Sequence, residues 1–184
     1  MSKIVIVYHS GYGHTQRMAQ AVAQGANAQL LAIDADGNLP EGGWEQLAAA
    51  DAIVFGAPTY MGNVSWQFKK FADASSKAWF VQAWKDKLFA GFTNSASVQG
   101  DKQVTLDAFY HLAMQHGGMW VGLGLLPSNT KVAQRNDVNW MGCFSGAMAQ
   151  SPSDASAGEM SAGDLETARQ FGERVATAAT RWAR

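Results

Sequence analysis

Short apolar runs recur along the chain and alternate with longer segments in which apolar residues return every three or four positions. The runs are rich in β-branched and aromatic residues, which favours strands; they span residues 3–8, 28–34, 51–58, 87–95 and 119–124. The longer segments have the periodicity of helices; they span residues 15–26, 44–50, 64–84, 102–118 and 164–183. Five predicted strands therefore alternate with helices along the sequence.

This alternation predicts an α/β fold. Strands that are apolar on both faces belong to a parallel sheet that helices cover on both sides. A chain of 184 residues is long enough for one well-buried core and short for two. We therefore expect a single domain over residues 1–184, built on a doubly wound, five-stranded parallel sheet in the order 2-1-3-4-5.

Residues 125–162 interrupt the alternation. A segment of this length without a clear period is typical of a lid, a partner-binding loop or a disordered region. Its large apolar side chains, among them Trp140 and Phe144, argue against complete disorder. Two interpretations stay open for this predicted loop: a cover over the site or a subunit contact, and simple packing on the domain.

Charge and cysteine content narrow the function. The 15 acidic and 14 basic residues give a net charge of −1, which offers no basic surface for nucleic acid. Without a targeting pattern or an apolar stretch long enough to span a bilayer, we expect a cytoplasmic protein with no membrane insertion. The single cysteine, Cys143, excludes an internal disulfide and a CxxC redox pair.

The sequence HSGYGHT, residues 9–15, follows the first predicted strand and lies at the start of the first helix. Ligands of open α/β sheets bind beyond the carboxyl ends of the strands, where this loop falls. Backbone amides from Gly13 to Thr15 would point out of the positive end of the helix, and Ser10 and Thr15 add hydroxyl groups. The loop has neither dinucleotide nor Walker spacing, so it is either a cup for one terminal phosphate or an ordinary capped turn.

Two further loops favour the phosphate cup. Residues 58–63, PTYMGN, follow the third predicted strand, and residues 94–102, NSASVQGDK, follow the fourth. All three loops should open at the same edge of the sheet. Small residues and backbone amides there would approach a flat, hydrogen-bonding ring closely, and Tyr60 and Met61 offer apolar surface. Together the loops predict one ligand pocket.

Two of the candidate residues, His116 and Trp79, each allow a second interpretation. His116 precedes two glycines at a helix end, where it would serve either the site or a C-terminal cap. Trp79 lies in an amphipathic stretch, and its ring would either stack on a substrate or pack in the core or an interface. His9 and His14 lack the spacing and the acidic neighbours of metal ligands, so no metal site is expected.

The three loops resemble the FMN-binding loops of the flavodoxin superfamily. More narrowly, YHSGYGHT, FGAPTYMGNVSWQFKKFAD and LAMQHGG resemble the NAD(P)H:quinone oxidoreductases known as tryptophan-repressor-binding-protein-like flavoproteins. The resemblance covers most of residues 1–124 and the final helix, and it implies a flavodoxin-like fold. The family carries an arginine in the second loop where this chain has Tyr60.

The resemblance also implies roles for individual residues. Residues 10–15 would bind the ribityl phosphate of FMN, residues 59–61 and 94–99 would surround the isoalloxazine, and His116 would approach its edge. Tyr12 and Trp79 match positions that flank nicotinamide or quinone, and Tyr12 and His116 are the candidate catalytic residues that would guide a proton. The implied FMN-binding residues are Ser10, Gly11, Tyr12, Gly13, His14, Thr15, Pro58, Thr59, Tyr60, Met61, Gly62, Asn63, Asn94, Ser95, Ala96, Ser97, Val98, Gln99 and His116.

The activity implied by the resemblance is ping-pong hydride transfer of two electrons, through FMN, from NADPH or NADH to a quinone or similar acceptor. Such chemistry needs no side-chain nucleophile, because the cofactor carries it. The resemblance further implies a homodimer or homotetramer. Two alternatives remain: a one-electron carrier of flavodoxin type, against which the near-zero net charge counts, and a non-enzymatic FMN-binding regulatory protein.

Overall fold

A computed structural model describes residues 2–182 of the chain. Seven strands and six α-helices follow one another in it. The strands are β1 (Ile4–Tyr8), β2 (Gln29–Ala32), β3 (Ala52–Tyr60), β4 (Asn63–Val64), β5 (Leu88–Ser95), β6 (Met119–Trp120) and β7 (Ala147–Gln150). The helices are α1 (His14–Ala26), α2 (Gly43–Ala48), α3 (Trp66–Ala74), α4 (Ser76–Phe80), α5 (Lys102–Gln115) and α6 (Ala162–Trp182).

The main sheet is parallel, in the order β2-β1-β3-β5-β6. With β5 and β6 as the fourth and fifth core strands, this is the predicted 2-1-3-4-5 order, and the flavodoxin-like fold class is confirmed. Residues 4–8 of β1 and 52–58 of β3 are buried throughout, as expected of strands covered on both faces. The carboxyl ends of β1, β3 and β5 consequently meet at one edge.

The fifth position of the sheet is shared by two short strands. β6 pairs with the first two residues of β5, and β7 pairs in parallel with its last four. The prediction of one strand over residues 119–124 was therefore too long, and residues 147–150 form a strand inside the segment predicted as a loop. The intervening chain leaves the sheet and returns to it.

Asn139 joins distant parts of this intervening chain by hydrogen bonds of its side chain. Its buried side chain donates to the carbonyls of Leu125 and Cys143 at 3.0 and 3.1 Å and accepts from the Cys143 amide at 3.0 Å. Its backbone is left-handed, with φ of 52°, a conformation that asparagine tolerates better than most residues. These contacts give residues 125–143 a fixed path without a regular element.

Helices cover both faces of the sheet. On one face α1 and α6 pack so closely that a Cβ on Gly25 would lie 1.9 Å from the Arg169 carbonyl oxygen. On the other face, the rings of Phe68 from α3 and Phe109 from α5 pack on Phe55 of β3. None of the helices in residues 2–182 combines the length and the apolar character needed to cross a membrane.

The predicted helix over residues 64–84 is broken at Ser75. Its hydroxyl donates to the Ala72 carbonyl at 2.6 Å, and the chain continues as the short α4 and a series of turns. The turns place Trp84 fully in the core. Periodicity alone did not reveal the break, because Trp84 beyond it packs on Phe71 before it, with ring centroids 6.3 Å apart, although Trp79 and Phe80 between them are exposed.

Candidate functional site

A cavity of about 550 Å³ opens at the carboxyl ends of β1, β3 and β5. Its size lies in the range of small-molecule sites, roughly 300–1,000 Å³. None of the residues that line it is Lys, Arg, Asp or Glu, so the wall presents neutral donors and acceptors. The lining residues are Ser10, Tyr12, His14, Thr15, Pro58, Thr59, Tyr60, Asn94, Ser95, Ala96, Ser151, Pro152, Ser153 and Ala155.

The first loop forms an anion cup at the start of α1. The Ser10 hydroxyl accepts hydrogen bonds from the amides of Gly13 and Gln16, both at 3.1 Å, and Gly13 is left-handed with φ of 89°. The first intrahelical bond is donated by Arg17, to the Gly13 carbonyl. The amides of His14 and Thr15 precede that bond, so they are available to an anion at the positive end of the helix.

A chain of threonine hydroxyls fixes the start of the second loop. Thr93 donates to the Ala57 carbonyl at 2.7 Å, so its one proton is used and it accepts from Thr59 at 2.9 Å. Thr59 in turn accepts from Thr105 of α5 at 2.8 Å. Because each hydroxyl has one proton, the direction of the whole chain is determined. It joins β3, β5 and α5 directly beneath the cavity.

The rest of the second loop is a tight hairpin between β3 and β4. Its central residues, Met61 and Gly62, are both left-handed, with φ of 49° and 71°, as a type I′ turn requires. The Met61 side chain is fully exposed. At the cavity mouth the rings of Tyr12 and Tyr60 meet edge to face with centroids 6.4 Å apart, and 80% of Tyr12 is exposed.

The third loop is joined to the chain that follows β7. The Ser151 hydroxyl donates to Asn94 Oδ1 at 2.9 Å, and the Ser151 amide donates to the Ser95 carbonyl at 3.0 Å. Asn94 Nδ2 then has no hydrogen-bond partner among the described residues and remains a donor for a ligand. This pairing depends on β7, which the sequence analysis did not identify.

The segment that follows β7 forms one wall of the cavity. Residues 151–155 contribute four of its lining residues, and His14 Nε2 of the first loop donates to the Ala155 carbonyl at 2.9 Å. Of the two interpretations of residues 125–162, a cover over the site therefore applies to this part. The signal available in the sequence was the apolar run AMA at 147–149, followed by a Ser/Pro cluster like those after other strands.

The predicted cofactor-binding residues of all three loops are brought together, although not all of them reach the wall. Ten line the cavity. Gly11 and Gly13 belong to the cup, and a Cβ on Gly11 would lie 2.6 Å from the Tyr60 hydroxyl, so a larger residue there would displace the end of the Tyr60 side chain. The remaining residues continue the same loops without lining the cavity: Met61, Gly62, Asn63, Ser97, Val98 and Gln99.

His116 and Trp79 do not reach this cavity. α5 begins at the carboxyl edge of the sheet and its 14 residues run away from it for about 21 Å, so His116 lies at the opposite edge. There it lines a separate groove together with Trp79. The expected approach of His116 to the cofactor and of Trp79 to the substrate therefore does not occur within one chain.

The surroundings of His116 are those of a neutral core histidine. Its ring lies 4.3 Å from that of Trp84, and burial lowers its pKa to about 4. Because the Ser75 proton goes to Ala72, His116 Nε2 carries the hydrogen and donates to Ser75 at 2.9 Å. Nδ1 is buried without a partner, which a protonated ring would not tolerate.

The histidines of the first loop also have structural partners. His9 contacts the Ser65 hydroxyl through Nδ1 at 2.9 Å, and its burial lowers its pKa. Across residues 2–182, no three His, Cys, Asp or Glu side chains gather in a way that could hold a metal ion. The chemistry of the cavity is therefore that of its hydroxyl groups, amides and aromatic rings.

These features fit a phosphorylated flavin. Free amides at a helix N-terminus suit a terminal phosphate, a crowded glycine turn lets the backbone approach it, and neutral donors on two further loops suit a planar ring with hydrogen-bonding edges. A doubly wound sheet with this site at its carboxyl edge defines the class of flavodoxin-like FMN proteins.

Comparisons with known proteins agree with this class and narrow it. Residues 42–131 match the family of NADPH-dependent FMN reductases. The chain is 60% identical over 176 residues, 96% of each chain, to "Flavodoxin FldP" of Pseudomonas aeruginosa. It is 36% identical over 208 residues, 99% of this chain and 100% of the relative, to an "NAD(P)H dehydrogenase (quinone)" of Geotalea uraniireducens.

A solved structure from Agrobacterium tumefaciens, described as a flavodoxin, WrbA-like protein, is 57% identical and superposes with a TM-score of 0.83 over 98% of this chain and 99% of that one. The chain belongs to the flavodoxin-like, WrbA-type family of FMN proteins. FMN, the cofactor expected from the sequence, is confirmed, and so is membership of an FMN-dependent oxidoreductase family.

Proposed function

We propose that this protein passes two electrons from NADPH or NADH to a quinone or a similar small acceptor, with FMN bound in the cavity described above. FMN, when bound, supplies a centre that accepts and releases two electrons. The chain binds and orients the cofactor between the three loops and the segment that follows β7, and the cavity stays open at the mouth where Tyr12 and Tyr60 lie. Donor and acceptor would enter at that side in turn.

The observation that carries the proposal is the neutral, aromatic mouth of the cavity. Tyr12 and Tyr60 provide flat surfaces on which a nicotinamide or a quinone ring would stack. No charged side chain lines the cavity, which suits an uncharged acceptor. Within one chain, Tyr12 is the residue that we expect to contact the donor or acceptor. Its ring is exposed, so its hydroxyl would exchange a proton with water at the mouth.

The names of relatives support the same activity. The family that residues 42–131 match is described as NADPH-dependent, and the Geotalea relative is named an NAD(P)H dehydrogenase that acts on quinone. Both names imply a soluble nicotinamide as donor.

A second candidate is a one-electron carrier that docks on redox proteins. The Pseudomonas relative is named a flavodoxin, and the fully exposed Met61 beside the exposed Tyr12 offers an apolar rim for such docking. The net charge of −1 counts against it, because carriers of this kind use strong charge to steer their partners.

We further propose that the protein assembles into a homodimer or homotetramer. The groove at the opposite edge exposes 45% of Trp79 and 82% of Phe80 beside His116. Trp79 and His116 would take the roles expected of them if this groove packs against the cavity of a neighbouring copy. Sedimentation should give a dimer or tetramer, and Phe80→Asp should dissociate it; a wild-type monomer would refute this assembly.

Anaerobic rapid mixing tests the activity. The FMN-loaded protein is mixed with NADPH or NADH and then with a benzoquinone, while the flavin absorbance is followed. Fast bleaching and fast recovery are expected, with Tyr12→Leu slowing both phases. Tyr110→Leu, which removes an exposed ring far from the cavity, is the matched control. No bleaching with either nicotinamide, together with reduction by a flavodoxin reductase, would favour the carrier instead.

A further inference from the structure

The third loop has an unusual distribution of hydrogen bonds. Every backbone carbonyl from residue 95 to residue 99 accepts a hydrogen bond, either from Lys102 at the end of the loop or from Gln150 and Ser151 after β7. By contrast, the backbone amides of residues 96–99 make no hydrogen bond within residues 2–182. The donors to the five carbonyls are the Ser151 amide (3.0 Å), Gln150 Nε2 (2.8 Å), Lys102 Nζ for two of them (both 2.7 Å) and the Lys102 amide (3.3 Å).

Lys102 is the centre of this arrangement. It is the first residue of α5 and only 1% exposed. Its ammonium group donates to the carbonyls of Ser97 and Val98 and to the Ser95 hydroxyl at 3.0 Å. The Ser95 hydroxyl itself donates a hydrogen bond to the Ser97 carbonyl at 3.0 Å. Three donors thus meet three acceptors, which only the charged form of lysine can provide.

A buried cation behind a loop has two physical consequences. It occupies the carbonyls of Ser97 and Val98, so the amides of residues 96–99 stay free for a ligand of the cavity, whose wall includes Ser95 and Ala96. It also places a positive charge behind that wall at a position closed to solvent, where water screens its field less than at the surface. Both effects favour a ligand edge that is rich in electrons.

We infer that Lys102 is a positioning residue for FMN: it holds the third loop with its amides toward the isoalloxazine and stabilises the reduced, electron-rich state of the cofactor. The inference rests on one part of the proposed function, the binding of the ring by the third loop, and not on the nature of donor or acceptor. Gln150 assists from the other side by holding the Ala96 carbonyl.

The charge state of Lys102 makes this arrangement dependent on pH. Burial lowers its pKa to about 8. The groups that face it are Asp164 of α6, and Arg135 and Cys143 of the chain between β6 and β7. Asp164 is held by Arg135 at 2.7 Å, and burial raises the pKa of Cys143 to about 11, which leaves Lys102 as the group of this set that titrates between pH 7 and 9.

The sign of the dependence follows from linkage. An electron-rich ligand favours the protonated amine, so FMN binding should raise the pKa of Lys102 above about 8. FMN affinity is then greatest below that pH and falls as the pH rises through it, by up to about tenfold per unit. The neutral amine has only two hydrogens for three acceptors, which loosens the loop.

Titration of the apoprotein with FMN between pH 7 and pH 9 tests the inference, with the midpoint potential of the bound flavin as a second readout. Lys102→Met should weaken FMN binding by roughly tenfold or more at pH 7, abolish the pH dependence and make the midpoint potential more negative. Lys69→Met, on the exposed face of α3, is the control and should change none of these.

Lys102→Gln separates geometry from charge. The amide of glutamine restores two donors without a charge, so FMN affinity should recover in part while the midpoint potential stays low. If either variant binds FMN as the wild type does, or keeps its pH dependence, the inference is wrong. Should both variants fail to fold, wild-type affinity that does not change from pH 7 to 9 would overturn it. None of these readouts depends on nicotinamide oxidation, which tests the proposed function separately.

Discussion

The first and third loops face the same cavity, but different parts of the chain hold them in place. In the first loop, Ser10 binds the amides of residues only three and six positions later. The third loop depends on Lys102, and on Gln150 and Ser151, which lie more than 50 residues away. Both loops present free amides to a ligand. One does so through local backbone geometry, and the other through contacts that exist only in the folded protein.

The two loops should therefore respond differently to substitution. A change in the first loop should alter ligand binding while the rest of the protein remains stable, because its bonds are local and partly exposed. A change behind the second or third loop should alter both binding and stability, because its bonds join separate elements of the core.

Ser10→Asp should produce the largest change in binding. The carboxylate can accept from the same two amides and is favoured at a helix N-terminus, so the apoprotein should unfold at the wild-type denaturant concentration or above. The added negative charge would repel the phosphate of FMN, and the affinity should fall on the order of 100-fold. Fluorescence titration with FMN measures it.

Riboflavin provides the internal control for Ser10→Asp, because it has the ring without the phosphate. Its affinity should stay within about threefold of wild type. An equal loss for FMN and riboflavin would mean that the first loop does not bind the phosphate. The first and third loops would then not bind different parts of the cofactor.

Thr93→Val should produce the largest change in stability among the loop variants. It removes the donor to the Ala57 carbonyl and the acceptor for Thr59 in a fully buried position. Unsatisfied buried groups of this kind cost about 2 kcal/mol of unfolding free energy in total. Denaturant unfolding of the apoprotein measures it, and FMN affinity should fall together with stability.

The matched control is Thr177→Val on the exposed side of α6, where the hydroxyl bonds only its own helix. That variant should stay within about 0.5 kcal/mol of wild type. If the two variants lose the same stability, the buried hydroxyl chain does not support the second loop.

His14→Ala should have the smallest effect. It removes the one hydrogen bond that joins the first loop to the Ala155 carbonyl, at a partly buried position where such a bond contributes about 1 kcal/mol. Apoprotein stability should fall by about 1 kcal/mol, and FMN affinity, to which the unchanged His14 amide still contributes, should fall by no more than roughly fivefold. A loss as large as that of Ser10→Asp would show that the cover, rather than the cup, dominates binding.

The fold and the first loop were predictable because their signals are local. Buried parallel strands leave continuous apolar runs, and a glycine turn between a strand and a helix has a recognisable sequence. The helix break at Ser75 and the split fifth strand were not predictable, because tertiary packing decides them. β7 is only four residues long, and a long excursion separates it from the strand that it continues.

Two residues show the limit of such reasoning most clearly. Lys102 was assigned to the start of a helix, which is correct, but a lysine at that position is ordinarily exposed; only the folded loop makes it a buried donor. His116 was assigned to the site by resemblance, while its position at a helix end left a site role and a C-terminal cap open. A helix of 14 residues carries it to the other edge of the sheet, where only a neighbouring copy would bring it to a cofactor.

A crystal structure of the FMN complex would show which loop binds which part of the cofactor. We expect the phosphate to bind the amides of His14 and Thr15, and one edge of the ring to bind the amides of residues 96–99 with Lys102 unmoved behind them. A phosphate bound at another loop, or a ring edge held by side chains while these amides face solvent, would overturn this assignment of the loops.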